Sequence, residues 1–287
     1  MRRFNRSYTQ RVGALESRFL GRDRPLGEAR VLWEIGAAGR DVRDLRRQLD
    51  LDSGYLSRLL RSLEAAGLVD VGPGPTDRRV RTARLTAAGR AERALLDRRS
   101  DDLASSLLEP LSASQRQRLV RALAEVERLL DAGLVRIDVV DPGLPAARDC
   151  LRAYYDELDR RFPSGFDAER SRQTVVDDMR PPAGAFLLAA VHGEPVGCGV
   201  LRFHPGAPTE VKRLWVASTA RGTGLGRRLL ARLEQHAREQ GSTVVRLDTN
   251  AALTEAIALY RSAGYREVPA FNDEVYADLW FEKRLTP

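Results

Sequence analysis

Three glycines at alternate positions, Gly222, Gly224 and Gly226 in "RGTGLG", stand between an apolar run, "VKRLWVA", and a stretch with helical spacing, "LGRRLLARLEQHARE". A helix beginning at Leu225 presents unpaired backbone N–H groups and the positive end of its macrodipole. Hydrogen in place of a side chain lets a phosphate reach those amides, and Arg221 and Arg227 add charge. Taken alone, the same spacing also serves ordinary tight turns. A Walker loop would need a Gly-Lys-Ser/Thr ending, which is absent. A Rossmann loop belongs to the first strand of a doubly wound sheet; Asp248 lies near the acidic position such a fold uses, but this loop follows several strands joined by meander-like turns.

The positioning elements follow from pattern. The chain has 287 residues, 43% hydrophobic and 30% charged, enough for two globular domains. No run approaches the roughly 18 consecutive apolar residues of a membrane span, and "MRRFNRSYTQ" leads into no signal-peptide core; a cytoplasmic protein with no membrane partner is expected. Cys150 and Cys198 have no metal-ligand spacing, so two buried thiols and no metal are expected. Residues 1–135 carry 26 arginines and 19 acidic residues, a net of +7, whereas residues 136–287 carry 21 of each sign. A basic first half joined to a neutral second half points to a polyanion for the first.

In that first half, "LGEARVLWEIG" places Leu26, Ala29, Leu32, Trp33 and Ile35 on one helical face ending at Gly36. Asp41 is positioned to cap a second helix with Val42, Leu45 and Leu49 inward. Ser53 is positioned to cap a third, with Leu56, Leu59, Leu60 and Leu63 inward and Gly67 at its end. Only "DLDS" separates these two, which makes a helix-turn-helix whose second helix shows Gly54, Tyr55, Ser57, Arg58, Arg61 and Ser62 on its polar side. Two β-prone runs, "LVDV" and "VRTARLT", flank a turn with Asp77, Arg78 and Arg79, a wing. Arginine on an exposed helix is usually a solvated face, but Arg78, Arg79, Arg81 and Arg84 crowd one hairpin, where like charges repel unless phosphate neutralises them.

The order of these elements, "SGYLSRLLRSLEAAGLV", the "DRR" of the wing and "LTAAGR" together resemble the MarR family of winged helix-turn-helix regulators over roughly residues 1–135. The resemblance implies binding of double-stranded DNA by Ser53, Tyr55, Ser57, Arg58, Arg61, Asp77, Arg78 and Arg79, with Arg79 in a minor groove and Asp77 holding it. It also implies a homodimer formed by the terminal helices, matching the amphipathic segments 91–108 and 114–130.

Beyond Gly133 the pattern changes. A β-prone run at 135–140 is followed by a helix over 144–161, strands at 185–192 and 195–203 joined by "HGEP", and a strand at 210–217. A helix at 225–240, a strand at 244–249, a helix at 253–263 and a strand near 279–285 complete the chain. This predicts a multidomain protein: a mainly α winged helix-turn-helix domain over 1–134, then an α/β layer with a mixed central sheet over 135–287.

"EVKRLWVASTARGTGLGRRLL" and, further on, "EAIALYRSAGYRE" resemble the GNAT superfamily of acyl-CoA-dependent N-acetyltransferases, and the resemblance runs through residues 136–287. It implies acetyl-CoA as donor substrate. The amides of Arg221, Gly222, Thr223, Gly224, Leu225, Gly226 and Arg227 would hold its pyrophosphate, and the backbone of Leu214, Trp215 and Val216 would pair with pantetheine as an added strand. Tyr260 would lie near the thioester sulfur. The family's usual asparagine, seven positions before that tyrosine, is here Leu253, and Asn250 stands nearby to take its contact.

A protonated amine cannot attack a thioester, so a base must remove a proton and an acid can protonate the departing thiolate. Glu210 and Asp248 are the candidate bases and Tyr260 the candidate acid. Tyr260 also falls in register with Leu253, Ala256 and Ile257 as a core aromatic, and Glu210, at the start of a strand, could face water. Asn272, Glu274, Tyr276 and Trp280 in "FNDEVYADLWFEKRL" either line a pocket for an amine of unidentified type or form a closing hairpin. His192, His204 and His236 are isolated and read as structural. Two functions remain open: a DNA-binding regulator that is also an active acetyltransferase, or a regulator whose second half senses acetyl-CoA or an amine without turnover.

Overall fold

The computed structural model describes residues 1–14, 18–74, 79–167 and 176–285. Asp77 and Arg78 of the expected wing tip lie outside the described residues. The chain divides into two compact units, Met1–Val120 and Arg121–Pro287.

The first unit opens with α1 (Arg2–Arg11), which buries no residue and which the sequence reading did not anticipate. Next is α2 (Leu26–Ile35), ended by Gly36 at a positive φ of 67°. A two-residue strand, β1 (Arg40–Asp41), precedes α3 (Val42–Leu49) and α4 (Ser53–Ala65). The hairpin of β2 (Val69–Pro73) and β3 (Arg81–Leu85) pairs Val69 with Leu85 through to Pro73 with Arg81, and β1 adds to the free side of β3. Then come α5 (Ala87–Leu108), capped by the Thr86 hydroxyl on Gly89 N, and α6 (Ala113–Ala132). The division between the units falls within α6.

Leucines at helical spacing hold this unit together: Leu32, Leu45, Leu56, Leu60 and Leu63 are buried in one cluster with Val69 and Leu85 of the hairpin. Each such side chain is worth about 1.5–3 kcal/mol on leaving water. Two expected caps differ. Helix α4 already begins at Ser53, its expected cap, so the cap lies one position earlier and the Asp52 carboxylate, not the Ser53 hydroxyl, accepts from Tyr55 N at 2.8 Å. The Asp41 carboxylate accepts from the Thr82 hydroxyl across the β1–β3 pair and leaves α3 without a side-chain cap.

The second unit is built on a seven-stranded mixed sheet. In chain order it contains β4 (Arg136–Val140), α7 (Pro145–Arg161), β5 (Gly184–Val191), β6 (Glu194–His204), β7 (Ala207–Val216) and α8 (Leu225–Glu239). It ends with β8 (Val244–Thr249), α9 (Thr254–Ser262), β9 (Arg266–Val268) and β10 (Leu279–Arg284). The strand order is β4-β5-β6-β7-β8-β10-β9, antiparallel except for the β7–β8 pair. Alternation along the strands divides the core. Ala185, Leu187 and Leu201 face α8 and α9, whereas Phe186, Leu188, Cys198 and Val200 face α7. Both cysteines are buried free thiols. Strand β7 begins at Ala207, so Glu210 is not an exposed strand start; it sits inside the strand at 5% exposure. Among the described residues, no helix is long and apolar enough to cross a membrane.

Candidate functional site

The parallel pairing of β7 with β8 covers only Thr209–Val245 and Glu210–Arg246. Beyond it the strands part. The cause lies on the other edge of β7, where Val200 of β6 pairs with Lys212 and Cys198 pairs with Trp215, so three steps of β7 span two of β6. The extra residue is a β-bulge, and Arg213 within it adopts φ 52°. A side chain in that left-handed region costs of the order of 1–3 kcal/mol, which the surrounding sheet must hold. Along Val211–Val216 the edge of β7 facing β8 is therefore left with backbone donors and acceptors free of a strand partner.

A cavity of about 100 Å³ fills the gap. Lys212, Arg213 and Leu214 of β7 form one wall, and Asp248, Thr249 and Asn250 form the other. Leu253, Ala256 and Tyr260 close it from α9, and Tyr154, Tyr155 and Leu158 from α7.

The glycine loop lies where α8 begins. Gly222 and Gly224 sit at φ 76° and 82°, and a Cβ on either would meet nothing within 4 Å. Glycine is required there for backbone conformation rather than for room inside the protein. Gly224 is the N-cap of α8 and no side chain caps the helix, so the amides of its first turn are open to a ligand. The flanking arginines are engaged within the fold. Arg221 donates through Nε to Val216 O at 3.0 Å and pairs with Glu157 of α7. Arg227 donates to the hydroxyl of Ser262 at 2.7 Å, tying α8 to α9. Thr223 donates its hydroxyl to Ala220 O. Trp215 donates Nε1–H to the same Glu157, whose carboxyl burial would raise but which these donors hold below its ordinary range.

The three sequence candidates for proton transfer separate. Tyr260 is 5% exposed and lines the cavity; burial, reinforced by the negative charge of Asp248, pushes its phenol well up, so it carries its proton throughout neutral pH. Tyr154 on the facing helix is pushed up in the same way. Asp248 also lines the cavity, ion-paired with Lys212 and accepting from Asn272 Nδ2 at 2.9 Å. Glu210 does not line it. Burial alone would raise its carboxyl, but Lys212, Arg246 and His204 outweigh that effect and hold it below the ordinary value. Arg246 donates to it at 2.8 Å. Glu210 is thus a charged anchor of the β7–β8 pair.

Of the suggested acceptor residues, Glu274 and Tyr276 line the cavity. Asn272 and Trp280 stand behind Asp248, with Trp280 Nε1 donating to Asn272 Oδ1 at 2.8 Å. Asn250 spends its amide locally, donating to Tyr276 O and accepting from Ala252 N. Sequence reasoning missed Lys212, Arg213 and the aromatic wall of Tyr154, Tyr155, Phe162 and Phe166. The ring of Tyr155 stacks on Phe166 at 5.7 Å, and Phe166 meets Tyr276 at 4.9 Å. The signal available was the aromatic spacing of "RAYYDELDRRF" along one helix.

In the first unit, Ser53, Tyr55, Ser57, Arg58 and Arg61 are all exposed on α4. The Arg58 guanidinium lies 5.5 Å over the Tyr55 ring, and Arg61 donates to Ser57 O. Ser62 is exposed as well and gives its hydroxyl to buried Glu28 at 2.7 Å. An open groove of about 520 Å³ runs between α3, α4 and the hairpin, bordered by Arg43, Arg46, Arg47, Ser57, Arg79 and Arg81. Among the described residues no cluster suited to a metal ion occurs.

The acetyltransferase (GNAT) family model matches residues 151–265, and the MarR family model matches residues 21–80. The chain is similar to an IAA acetyltransferase of Azospirillum brasilense, 36% identical over 126 residues, which cover 44% of this chain and 82% of that protein. It is 32% identical over 130 residues to uncharacterized N-acetyltransferase C1271.07c of Schizosaccharomyces pombe, covering 43% of this chain and 78% of the other. It is also 30% identical over 83 residues to uncharacterized HTH-type transcriptional regulator YdgJ of Bacillus subtilis (strain 168), covering 29% of this chain and 51% of the other.

Proposed function

The chain belongs to the acetyltransferase (GNAT) family and carries a MarR-family domain ahead of its N-acetyltransferase domain; on that premise we propose a cytoplasmic, DNA-binding homodimer that transfers the acetyl group of acetyl-CoA to an amine. We take the domains as 1–134 and 135–287. The observation that carries the enzymatic part is the coincidence of three features: a strand pair opened by a bulge, an uncapped helix N-terminus entered through Gly222 and Gly224, and a buried protonated tyrosine in the gap.

In this reading the amides of Gly222–Arg227 bind the pyrophosphate, and the open edge at Leu214–Val216 pairs with pantetheine. With Arg221 and Arg227 engaged by the fold, the main chain supplies most of the grip. The amine nitrogen attacks the thioester carbonyl carbon, a C–N bond forms and the C–S bond breaks. Asp248 takes the proton lost by the amine, and Tyr260 supplies one to the departing thiolate. Glu210 fixes the strand pair.

The DNA reading rests on the basic groove between α3, α4 and the hairpin, with Ser53, Tyr55, Ser57, Arg58 and Arg61 assigned to a major groove, Arg79 to a minor groove, and Asp77 and Arg78 carried over from the family resemblance, Asp77 as the residue that holds Arg79. The homodimer reading rests on α6, which buries none of its residues yet exposes Leu119, Val120, Leu123, Val126, Leu129 and Leu130.

The ion pair of Lys212 with Asp248 also favours a second reading, a sensor that binds acetyl-CoA without turnover, because it clamps the candidate base. Incubating full-length protein with acetyl-CoA and an amine panel, and following free thiol, separates the two. Release of thiol that depends on an amine supports the enzyme; tight acetyl-CoA binding with no release supports the sensor.

A further inference from the structure

Resting on the acetyl-transfer reading above, we propose that the acceptor is a zwitterionic amino acid with an apolar or aromatic side chain, and that Arg213 binds its carboxylate. Lys212, Arg221, Arg246 and Arg161 in this unit each face one or two carboxylates. Arg213 faces none among the described residues. Its Nε donates to the Tyr155 hydroxyl at 2.7 Å and its guanidinium lies 5.7 Å from the Tyr155 ring; the residue lines the cavity, and among the described residues its two Nη groups have no hydrogen-bond partner. A planar fork with open donors is the recognition element for a carboxylate.

Its placement has a structural cause. Arg213 is the positive-φ residue of the β7 bulge, and its own carbonyl accepts from the Cys198 thiol at 3.6 Å, so the main chain is fixed while the side chain is held by Tyr155. The donor substrate does not need this cation. The anionic groups of acetyl-CoA are its phosphates, which belong at the glycine loop, and its pantetheine is neutral.

The opposite wall carries the complementary charge. Asp248 and Glu274 line the cavity across from Arg213 and suit the ammonium end of the same molecule. Between the two ends, the stacked rings of Tyr155, Phe166 and Tyr276 offer an apolar face for a side chain. A polyamine would bring two or more cations against Lys212 and Arg213, and a lysine within a polypeptide would bring no carboxylate.

The test uses full-length protein, thiol release from acetyl-CoA, and matched acceptors: phenylalanine, phenylalaninamide and phenethylamine, then tryptophan, tryptophanamide and tryptamine. The amino acids should exceed their amides and amines in kcat/KM by about 100-fold. Arg213→Gln should raise KM for the amino acid and erase that preference; Arg213→Lys, which keeps the charge without the fork, should restore part of it. Calorimetry with acetyl-CoA runs alongside. Intact acetyl-CoA binding with equal use of all three members of a set, or with no use of either amino acid, overturns the proposal. A flat acetyl-CoA titration overturns the underlying reading instead, and the two failures are told apart by that trace.

Discussion

The ammonium of Lys212 on β7 is ion-paired with the carboxylate of Asp248 on β8, across the gap that opens just past the last hydrogen-bonded residues of the two strands. The same ammonium lies 3.8 Å from Glu210, so one cation serves the carboxylate in the cavity and the carboxylate that anchors the strand pair. Their chemical roles separate by position, and the variants below exploit that.

Asp248→Asn should lower kcat by about 100-fold or more, the usual contribution of a positioned base, while leaving acetyl-CoA affinity near that of the parent. Steady-state kinetics beside calorimetry reads both. An unchanged kcat would remove Asp248 from proton transfer.

Glu210→Gln should act on stability first. Removing a buried ion-pair partner leaves Arg246 without its carboxylate and Lys212 with Asp248 alone, at a cost of about 3 kcal/mol in urea unfolding at neutral pH. The Glu210 carboxyl is held below its ordinary value of 4.5 in the folded state. Its stabilising contribution is therefore complete above that value and is lost as pH falls through the lowered one. The parent should lose stability on acidification below about pH 4.5 more steeply than the variant; parallel pH profiles would contradict the assignment.

Gly224→Val should weaken acetyl-CoA binding by at least tenfold, because a β-branched residue at φ 82° strains the turn that aims the first amides of α8. Gly226→Ala is the control. A Cβ there meets Leu259 at 3.4 Å and Val216 at 3.8 Å, which is ordinary contact, so folding should survive with little loss. Equal affinity of the Gly224 variant and the parent, by calorimetry, would sink the loop as the phosphate site.

Arg79→Ala and Arg58→Ala should each weaken binding to duplex DNA. If Arg79 meets phosphate or a narrow groove, its loss should also flatten the salt dependence by about one unit of slope. Fluorescence anisotropy between low and moderate salt measures both. Affinity and slope identical to the parent would exclude that docking.

Val126→Asp with Leu129→Asp places charge on the apolar face of α6. Light scattering should show a dimer for the parent and a monomer for the double variant. An unchanged mass would move the dimer contact elsewhere.

Periodicity determined much of this protein in advance. Leucines at three- and four-residue spacing set α2, α3 and α4, continuous apolar runs set β5 and β6, and alternation set β8, because burial is a local property of a sequence that leaves its mark along the chain. The strand-glycine-helix order likewise exposed the loop before α8. Short or charged pieces escaped. Helix α1 buries no residue and offers only Phe4 and Tyr8 at helical spacing, and β9 has only three residues, so neither leaves a period long enough to read.

The site's chemistry was decided by tertiary structure. Glu210 and Asp248 look alike as acidic residues on neighbouring strands, and only the bulge at Arg213 and the parting of β7 from β8 put Asp248 in the cavity and Glu210 outside it. The flanking arginines of the glycine loop read as phosphate ligands until the fold gave Arg221 to Glu157 and Arg227 to Ser262. Arg213 was silent in sequence, and the aromatic wall left only the clustered rings of "RAYYDELDRRF" as a mark. A charge's partner is set by residues tens of positions away, and distance in three dimensions leaves no interval along the chain to read.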